Sequence, residues 1–220
     1  MEYPIKKISL NHPNYPDLLK QIYNPPKELY IQGKLKKQEN LPLAIVGTRQ
    51  ASSFGKNLAK NFAYSLGKKG FTIISGLALG IDGAAHQGAL LAGAKTIAVL
   101  GSGLKHIYPP SHKKLAKKIL KKGGALISEY PPETGPKKQH FPARNRIIAG
   151  LSLGILVIEA PEHSGALITA RFGAEEGREV MVVPFNISQK TAQGSNELIK
   201  KGAKVITCLD DILESFALNS

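Results

Sequence analysis

Short apolar runs alternate along the chain with longer segments that carry apolar residues at helical spacing, and glycine, proline or serine separates them. The runs are nearly continuous in Val, Ile, Leu and Ala, which is typical of strands buried on both faces of a parallel sheet. The predicted strands are 43–47, 71–75, 96–100, 125–128, 155–159, 180–183 and 204–207. The segments long enough to be crossover helices are 53–69, 82–93, 111–122, 164–177 and 195–202.

This alternation predicts an α/β fold. Parallel strands need crossover connections that return over the sheet, so we expect a Rossmann-like, doubly wound, mostly parallel sheet with helices on both faces. Residues 41–208 are predicted to form this domain. Residues 1–40, in which proline-bearing stretches flank a helix candidate at 16–23, are predicted to be a leader packed on it. Residues 209–220 are predicted to be a C-terminal tail with a short helix at 210–216.

The charge is concentrated in the middle of the chain. The sequence carries 30 basic and 16 acidic side chains, and its net charge is +14. Residues 41–150 alone account for +14, because they hold 17 basic side chains and only three acids. Such a field attracts a polyanion, of which nucleic acid is the commonest and an anionic membrane the competitor. A general enrichment in lysine is the alternative, since lysine outnumbers arginine 25 to 5.

The sequence shows no signal for export or for a membrane. Its N-terminus lacks an apolar signal segment, and no stretch approaches 18 uninterrupted apolar residues. Cys208 is the only cysteine, which excludes an internal disulfide and a paired-cysteine metal site, and we expect its side chain in the core. The six histidines show no metal-ligand spacing. A cytoplasmic protein without a membrane partner or a bound metal is the simplest interpretation.

The turns that follow the predicted strands suit phosphate binding. Parallel sheets bind ligands at the carboxyl ends of their strands, where glycine turns lead into helix N-termini with free N–H groups. Asp82 is predicted to cap the helix after the second such turn. Steric relief at a strand-to-helix turn is the competing explanation for each glycine. The candidate phosphate-rim residues are Gly47, Thr48, Ser52, Ser75, Gly76, Gly80, Ser164 and Gly165.

Residues 137–146 have the composition of a platform for single-stranded nucleic acid. In such platforms cations follow the phosphate backbone while an aromatic face or a guanidinium plane stacks on a base. A helix is predicted to begin at Arg144, with Ile147 and Ile148 facing inward. Phe141 is therefore assigned equally to base stacking and to packing at the helix start. The candidates in this stretch are Lys137, Lys138, Phe141, Arg144, Asn145 and Arg146.

A second group of cations recurs at helical spacing on the predicted helix 111–122. These side chains share one face of the helix, opposite apolar residues. A solvated face is the first interpretation, and long-range attraction of DNA is the second. The residues are Lys113, Lys114, Lys117, Lys118, Lys121 and Lys122.

The sequence contains no recognisable catalytic constellation. It lacks the HExxH, GxSxG and GxGxxG motifs and the Walker phosphate loop. Glu159, at a strand end near Ser164 and Arg171, is a candidate acid or base, and an ion pair with an arginine explains it equally well. We therefore expect neither catalysis nor a cofactor.

Several motifs follow one another over about residues 14–207. They are IVGTRQAS, ISGLALGID, AVLGSGL, ISEYPP, FPARNRIIAGLS, VIEAPEHSGALITA and GSNELIKKGA. In this order they resemble the DNA-processing protein A (DprA/Smf) family of bacterial transformation proteins. The resemblance implies a Rossmann-like homodimer that binds single-stranded DNA, protects incoming DNA during natural transformation and loads the RecA recombinase onto it, without catalysis.

The resemblance also implies roles for residues in the matching motifs. Arg49 and the candidates within 137–146 would face the DNA, and the glycine turns after the first two predicted strands would shape the phosphate rim. Phe185 departs from the family pattern, which places glycine after the strand-terminal Pro184. Many members continue into a winged-helix-like domain, whose roles are not assigned to these 220 residues. The competing hypothesis is a Rossmann-like enzyme that acts on a small nucleotide or phosphoribosyl substrate.

Overall fold

The computed structural model describes residues 3–217, which are organised around a nine-stranded sheet. The strands are β1 (Ile5–Ser9), β2 (Glu28–Gly33), β3 (Pro42–Val46), β4 (Thr72–Ser75), β5 (Thr96–Leu100), β6 (Ala125–Ser128), β7 (Gly154–Val157), β8 (Glu179–Val182) and β9 (Lys204–Val205). The helices are α1 (Asp17–Lys20), α2 (Ser53–Lys68), α3 (Ile81–Leu91), α4 (Lys113–Lys121), α5 (His140–Gly150), α6 (Gly165–Glu175), α7 (Gln193–Lys200) and α8 (Leu209–Ser215).

The strands lie in the order β1-β2-β6-β5-β4-β3-β7-β8-β9. Every pair from β6 to β9 along this order is parallel, which confirms the predicted mostly parallel, doubly wound sheet. The chain steps outward from β3 to β6, then crosses back and continues from β7 on the other side of β3. The carboxyl ends of β3 and β7 therefore flank a topological switch point, where open α/β sheets bind their ligands.

Helices cover both faces of the sheet. Alternate residues of β3 show this, because Ala44 and Val46 belong to the cluster that Ile147 of α5 completes, together with apolar residues of α6. Leu43 and Ile45 point to the other face and share a cluster with residues of α2, α3 and α8. Each large apolar side chain buried in this way stabilises the fold by about 1.5–3 kcal/mol.

The first 40 residues add two strands to the same sheet. β2 pairs antiparallel with β6, with Ile31 opposite Ile127, and β1 pairs antiparallel with β2. No strand was predicted here, because a short strand with few buried residues is a weaker pattern than a continuous apolar run. The proposed division into leader, domain and tail stays a prediction, and residues 1–2 and 218–220 lie outside the described part.

Two local predictions were wrong. α5 begins at His140 rather than at Arg144. Pro142 is its third residue, where proline is tolerated because the first four N–H groups of a helix have no intrahelical acceptor. Cys208, expected in the core, is exposed and occupies the N-cap position of α8.

Candidate nucleic-acid interface

A cleft of about 640 Å³ opens at the topological switch point. It is lined by the turn after β3, the loop between β5 and α4, and the first turns of α5 and α6. These segments bring Arg49, Tyr108, Lys138, Phe141 and Ser164 to one opening. The fold thus unites candidates from the turn after β3, from the 137–146 stretch and from the start of α6.

Arg49 and Phe141 form the central contact of the cleft. The guanidinium carbon of Arg49 lies 5.0 Å from the centre of the Phe141 ring, within the range of a cation–π interaction. The ring centre also lies 5.5 Å from that of Tyr108. Part of the ring packs on Gly101, where an added methyl group would approach it to 2.9 Å. Because Phe141 is half-buried and also lines the cleft, its packing role and its stacking role are compatible.

Lys137 and Lys138 lie in the turn that precedes α5. The Lys137 carbonyl accepts a hydrogen bond from the N–H of His140 at 3.0 Å, which fixes the turn against the helix. Both lysine side chains are exposed, and Lys138 lines the cleft. Lys138 therefore brings a cation to the cleft, and the contact of both lysines with DNA stays a prediction.

Arg144 lies on the floor of the cleft and is largely buried, with 4% of the residue exposed. Its guanidinium donates hydrogen bonds to the carbonyl oxygens of Gly76, at 2.7 Å, and Val99. Burial lowers the pKa of Arg144 to about 10, and the charge of Asp82 opposes this shift. Arg144 therefore contributes positive charge beneath the cleft while its hydrogen bonds hold the protein together.

Asp82 organises the loop before α3 and is not its N-cap, contrary to the prediction. Gly80 occupies the N-cap position, and Asp82 Oδ2 accepts hydrogen bonds from the N–H groups of Gly76, at 3.0 Å, and Ala78, at 3.4 Å. Burial raises the pKa of Asp82, and the Arg144 charge acts in the opposite direction. A methyl group on Gly76 would lie 2.6 Å from Arg144 Nη2 and from Asp82 Oδ2. A side chain at position 76 would therefore displace both charged groups.

Asn145 and Arg146 also bind other parts of the protein. Asn145 Nδ2 donates to the Gly165 carbonyl at 2.9 Å, and its Oδ1 accepts from Arg144 Nε at 3.2 Å. Arg146 donates two hydrogen bonds to the Glu129 carboxylate, at 2.9 and 2.5 Å. These side chains fix the start of α5, and their assignment to DNA stays a prediction.

Gly47 and Gly80 lie where the turns after β3 and β4 pack on each other. A Cβ atom on Gly47 would overlap the Ile81 side chain, and one on Gly80 would overlap the Thr48 carbonyl. Gly80 also has a φ of +75°, which L side chains rarely adopt. Steric relief explains both glycines, and their contact with phosphate stays a prediction.

Glu159 lies at the N-terminus of α2 and is fully buried. Its carboxylate accepts hydrogen bonds from the N–H and hydroxyl groups of Ser52, at 3.0 and 2.8 Å, and from the Gln189 and Thr191 side chains. Within residues 3–217 it forms no ion pair with an arginine, so that explanation was wrong. The Ser52 hydroxyl in turn accepts the N–H of Gly55 at 2.9 Å and caps the helix. The anion at this helix start therefore belongs to the protein itself.

The remaining phosphate-rim candidates differ in their access to the cleft. Ser75 is fully buried and donates its hydroxyl to the carbonyl of a neighbouring strand. Gly47, Thr48, Ser164 and Gly165 line the cleft. Ser164 also caps α6, because its hydroxyl accepts the N–H of residue 166 at 3.2 Å. The turn before α6 is therefore a rim segment that meets the cleft and begins a helix.

Sequence reasoning missed Tyr108 and the packing of Gly101 against Phe141. Tyr108 packs beside Phe141 at the mouth of the cleft, and Gly101 leaves the space that the Phe141 ring fills. The available signal was the turn-rich segment after β5, which carries glycines, prolines and one tyrosine. Its pairing with a segment 40 residues further along the chain depends on tertiary packing.

Neither a metal cluster nor a membrane-spanning helix occurs in the described range. No group of three His, Cys, Asp or Glu side chains within residues 3–217 is arranged to hold a metal ion. No helix in the same range is both long and apolar enough to cross a bilayer.

Comparison with known proteins identifies the family. The sequence profile of the family described as DNA recombination-mediator protein A matches residues 6–217. The chain belongs to this family. A relative in Bacillus subtilis, DNA processing protein DprA, is 42% identical over 214 residues, which cover 97% of this chain and 72% of that protein. The chain spans about half the length of several other relatives.

Two solved structures of DNA processing protein A share the fold. The Streptococcus pneumoniae protein superposes with a TM-score of 0.89 at 42% identity, over 96% of this chain and 74% of that one. The Helicobacter pylori protein, whose structural study concerns its single-stranded DNA binding mode, gives a TM-score of 0.86 at 31% identity. That match covers 99% of this chain and 98% of the other.

Proposed function

We propose that this chain binds single-stranded DNA in the cleft at the topological switch point. The observation that carries the proposal is the contact of the exposed Arg49 with the half-buried Phe141, 5.0 Å apart, beside Lys138 at the rim. A cation and an aromatic ring at one opening can hold a phosphate and a base of the same strand. Membership of a recombination-mediator family and similarity to the Helicobacter pylori protein support this assignment.

The wider role extends this proposal. The chain acts as a homodimer in natural transformation, where it protects incoming single strands and delivers them to the RecA recombinase. It acts by binding, without catalysis. The competing enzymatic function relied on Glu159, which is buried, is held by Ser52, Gln189 and Thr191, and does not line the cleft.

Charge reversal at Arg49 tests the proposal. In Arg49→Glu, a cation that faces the phosphate backbone becomes an anion beside Phe141. We expect the affinity for oligothymidylate, measured by fluorescence anisotropy, to fall by on the order of 100-fold. The slope of log K against log salt should become shallower by about 0.7 for each phosphate that the variant no longer neutralises. The affinity for oligonucleotides of other sequences should fall to the same extent.

Arg171→Glu is the matched control, because Arg171 is exposed on α6 outside the cleft and the substitution changes the net charge equally. Equal binding by the folded Arg49→Glu protein and wild type would contradict the proposal. A mononucleotide that displaces the oligonucleotide at micromolar concentration would instead favour the small-substrate enzyme.

A further inference from the structure

The lysines of α4 supply charge that the cleft does not use. We define the lysine face as the side of α4 and its C-cap formed by Lys113, Lys114, Lys117, Lys118, Lys121 and Lys122. All six residues are exposed. They recur three and four positions apart, so neighbouring ammonium groups lie close enough to repel each other.

These charges are not compensated within residues 3–217. No carboxylate in that range lies within 4.0 Å of a lysine of the face, whereas Lys7 pairs with Glu28 at 2.6 Å and Lys200 with Glu197 at 3.3 Å. The surrounding part of the sequence, residues 41–150, contains few acidic residues that could pair with these lysines. Of the three acids in residues 41–150, one is buried against the backbone and the other two pair with Arg146 and Lys105.

The position of the first lysines adds to the electrostatic repulsion on α4. Lys113 and Lys114 lie in the first turn of α4, which contains no acidic residue. A helix N-terminus carries partial positive charge and favours an anion. The helix forms because Leu115, Ile119 and Leu120 are buried against the sheet. A bound polyanion would relieve both the repulsion between the lysines and their repulsion from the helix start.

The lysine face begins next to the cleft. Tyr108 and Pro109 line the cleft or its side pocket, and the 3-10 turn Pro110–His112 leads directly into α4. His112 Nδ1 donates a hydrogen bond to the Leu77 carbonyl at 2.9 Å, which ties the start of α4 to the loop after β4. From Lys113 to Lys121 the helix then extends for about 12 Å. Only residues 109–112 therefore separate Tyr108 at the cleft from the first lysine of the face.

We propose that a single strand leaving the cleft past Tyr108 continues along α4, where its phosphates contact the lysine face. This inference rests on the proposed function of the cleft. The face contributes charge and no aromatic ring, so it binds the backbone without regard to base sequence. It lengthens the segment of DNA that one protein molecule holds.

Oligonucleotide length separates the face from the cleft. The test variant is Lys114→Gln, Lys117→Gln, Lys118→Gln and Lys121→Gln together, and anisotropy is measured with oligothymidylates of about six and about 20 nucleotides. We expect the longer strand to bind at least ~10-fold more weakly at 0.1 M salt, with a salt slope shallower by about 0.7 for each phosphate that is no longer neutralised. The affinity for the shorter strand should remain within about twofold of wild type.

The control substitutes four exposed lysines elsewhere and lowers the net charge by the same amount. Lys20→Gln, Lys27→Gln, Lys69→Gln and Lys201→Gln serve this purpose. Equal weakening in test and control variants would show only an effect of net charge and would overturn the inference. Unchanged binding of the longer strand by the test variant would overturn it too. If that variant also bound anionic phosphatidylserine vesicles more weakly than wild type, the face would be assigned to a membrane instead.

The same measurements distinguish this inference from the proposed function. Wild-type protein that binds neither oligonucleotide contradicts the cleft proposal and, with it, the inference. Wild-type protein that binds both lengths with one affinity and one salt slope contradicts the inference alone.

Discussion

The polar groups beneath the cleft and the lysines on α4 represent opposite ways to place charge. Asp82, His86, Arg144 and Asn145 form a buried polar cluster, each at most 7% exposed. Hydrogen bonds fix most of their polar atoms, whereas the lysine face is exposed and has no ion pair within residues 3–217. The buried groups should therefore govern stability and geometry. The exposed groups should attract a polyanion through their summed charge, and this attraction should weaken as the salt concentration rises.

The largest expected effect is on the buried side of this comparison. Arg144→Met removes the donor to the Gly76 and Val99 carbonyls and leaves Asp82 buried without its neighbouring cation. We expect the free energy of unfolding, from urea denaturation, to fall by about 3 kcal/mol. Arg171→Met, on the exposed surface of α6, should change it by less than about 0.5 kcal/mol. Similar losses in both variants would show that the two arginines have equivalent surroundings.

The pH dependence of stability tests the same cluster. His86 Nδ1 donates to Thr96 Oγ1, which donates to the Ile73 carbonyl, and His86 Nε2 is buried without a partner in residues 3–217. Burial, followed by the charges of His112 and Arg144, lowers the His86 pKa to about 3. Because the unfolded chain takes up the proton near pH 6.5, stability present above that pH is lost as the pH falls towards 3.

Between pH 7 and pH 5 this histidine should cost the wild type about 2 kcal/mol of unfolding free energy. His86→Gln has no imidazole to titrate and should lose correspondingly less over the same range. Parallel pH profiles for wild type and variant would show that the imidazole is protonated as readily in the folded state as in the unfolded chain.

The aromatic ring at the mouth of the cleft should give a smaller effect, on binding alone. Phe141→Leu keeps apolar volume against Gly101 and Tyr108 but removes the stacking surface. We expect oligothymidylate affinity to fall by about 10-fold, consistent with stacking worth about 1–3 kcal/mol per base. Phe54→Leu, an exposed aromatic outside the cleft, is the control. An abasic strand should bind Phe141→Leu and wild type alike, and an equal loss with that strand would exclude stacking.

The smallest effect should have the opposite sign. The fourfold glutamine variant of the lysine face removes several like-charge pairs, each worth roughly 0.2–0.5 kcal/mol. We expect its unfolding free energy to rise by about 0.5–1 kcal/mol at low salt, and the gain to disappear in high salt. Destabilisation that persists in high salt would show instead that the lysine stems contribute packing.

The sequence was informative where burial is continuous along the chain. The apolar runs predicted β3 to β7, which are buried throughout, because strands covered on both faces need no polar alternation. They also predicted β8 and β9, which are only partly buried. β1 and β2 were not predicted because β1 has a single buried residue and β2 buries only alternate residues, both in short segments beside prolines. The start of α5 lies four residues before Arg144, so that Pro142 is in the first turn, where a helix tolerates proline.

The candidate site was predicted in composition better than in geometry. The end of the first predicted strand pointed to Arg49, and the composition of residues 137–146 pointed to Lys138 and Phe141. The fold brings all three to the same cleft. Burial of Arg144 and the ion pair of Arg146 with Glu129 could not be predicted, because their partners lie far away in the sequence. The scarcity of arginine suggested that each arginine has a specific role. Whether an arginine binds a ligand or another part of the protein depends on tertiary contacts, which the sequence does not show.

The carboxylate of Glu159 affects which small anions can bind at the N-terminus of α2. Helix starts attract inorganic phosphate and nucleotides, which every cell contains in quantity. Here the first turn of α2 already holds an acidic group from its own chain, bonded to Ser52. Inorganic phosphate and mononucleotides are therefore not expected to bind at the N-terminus of α2.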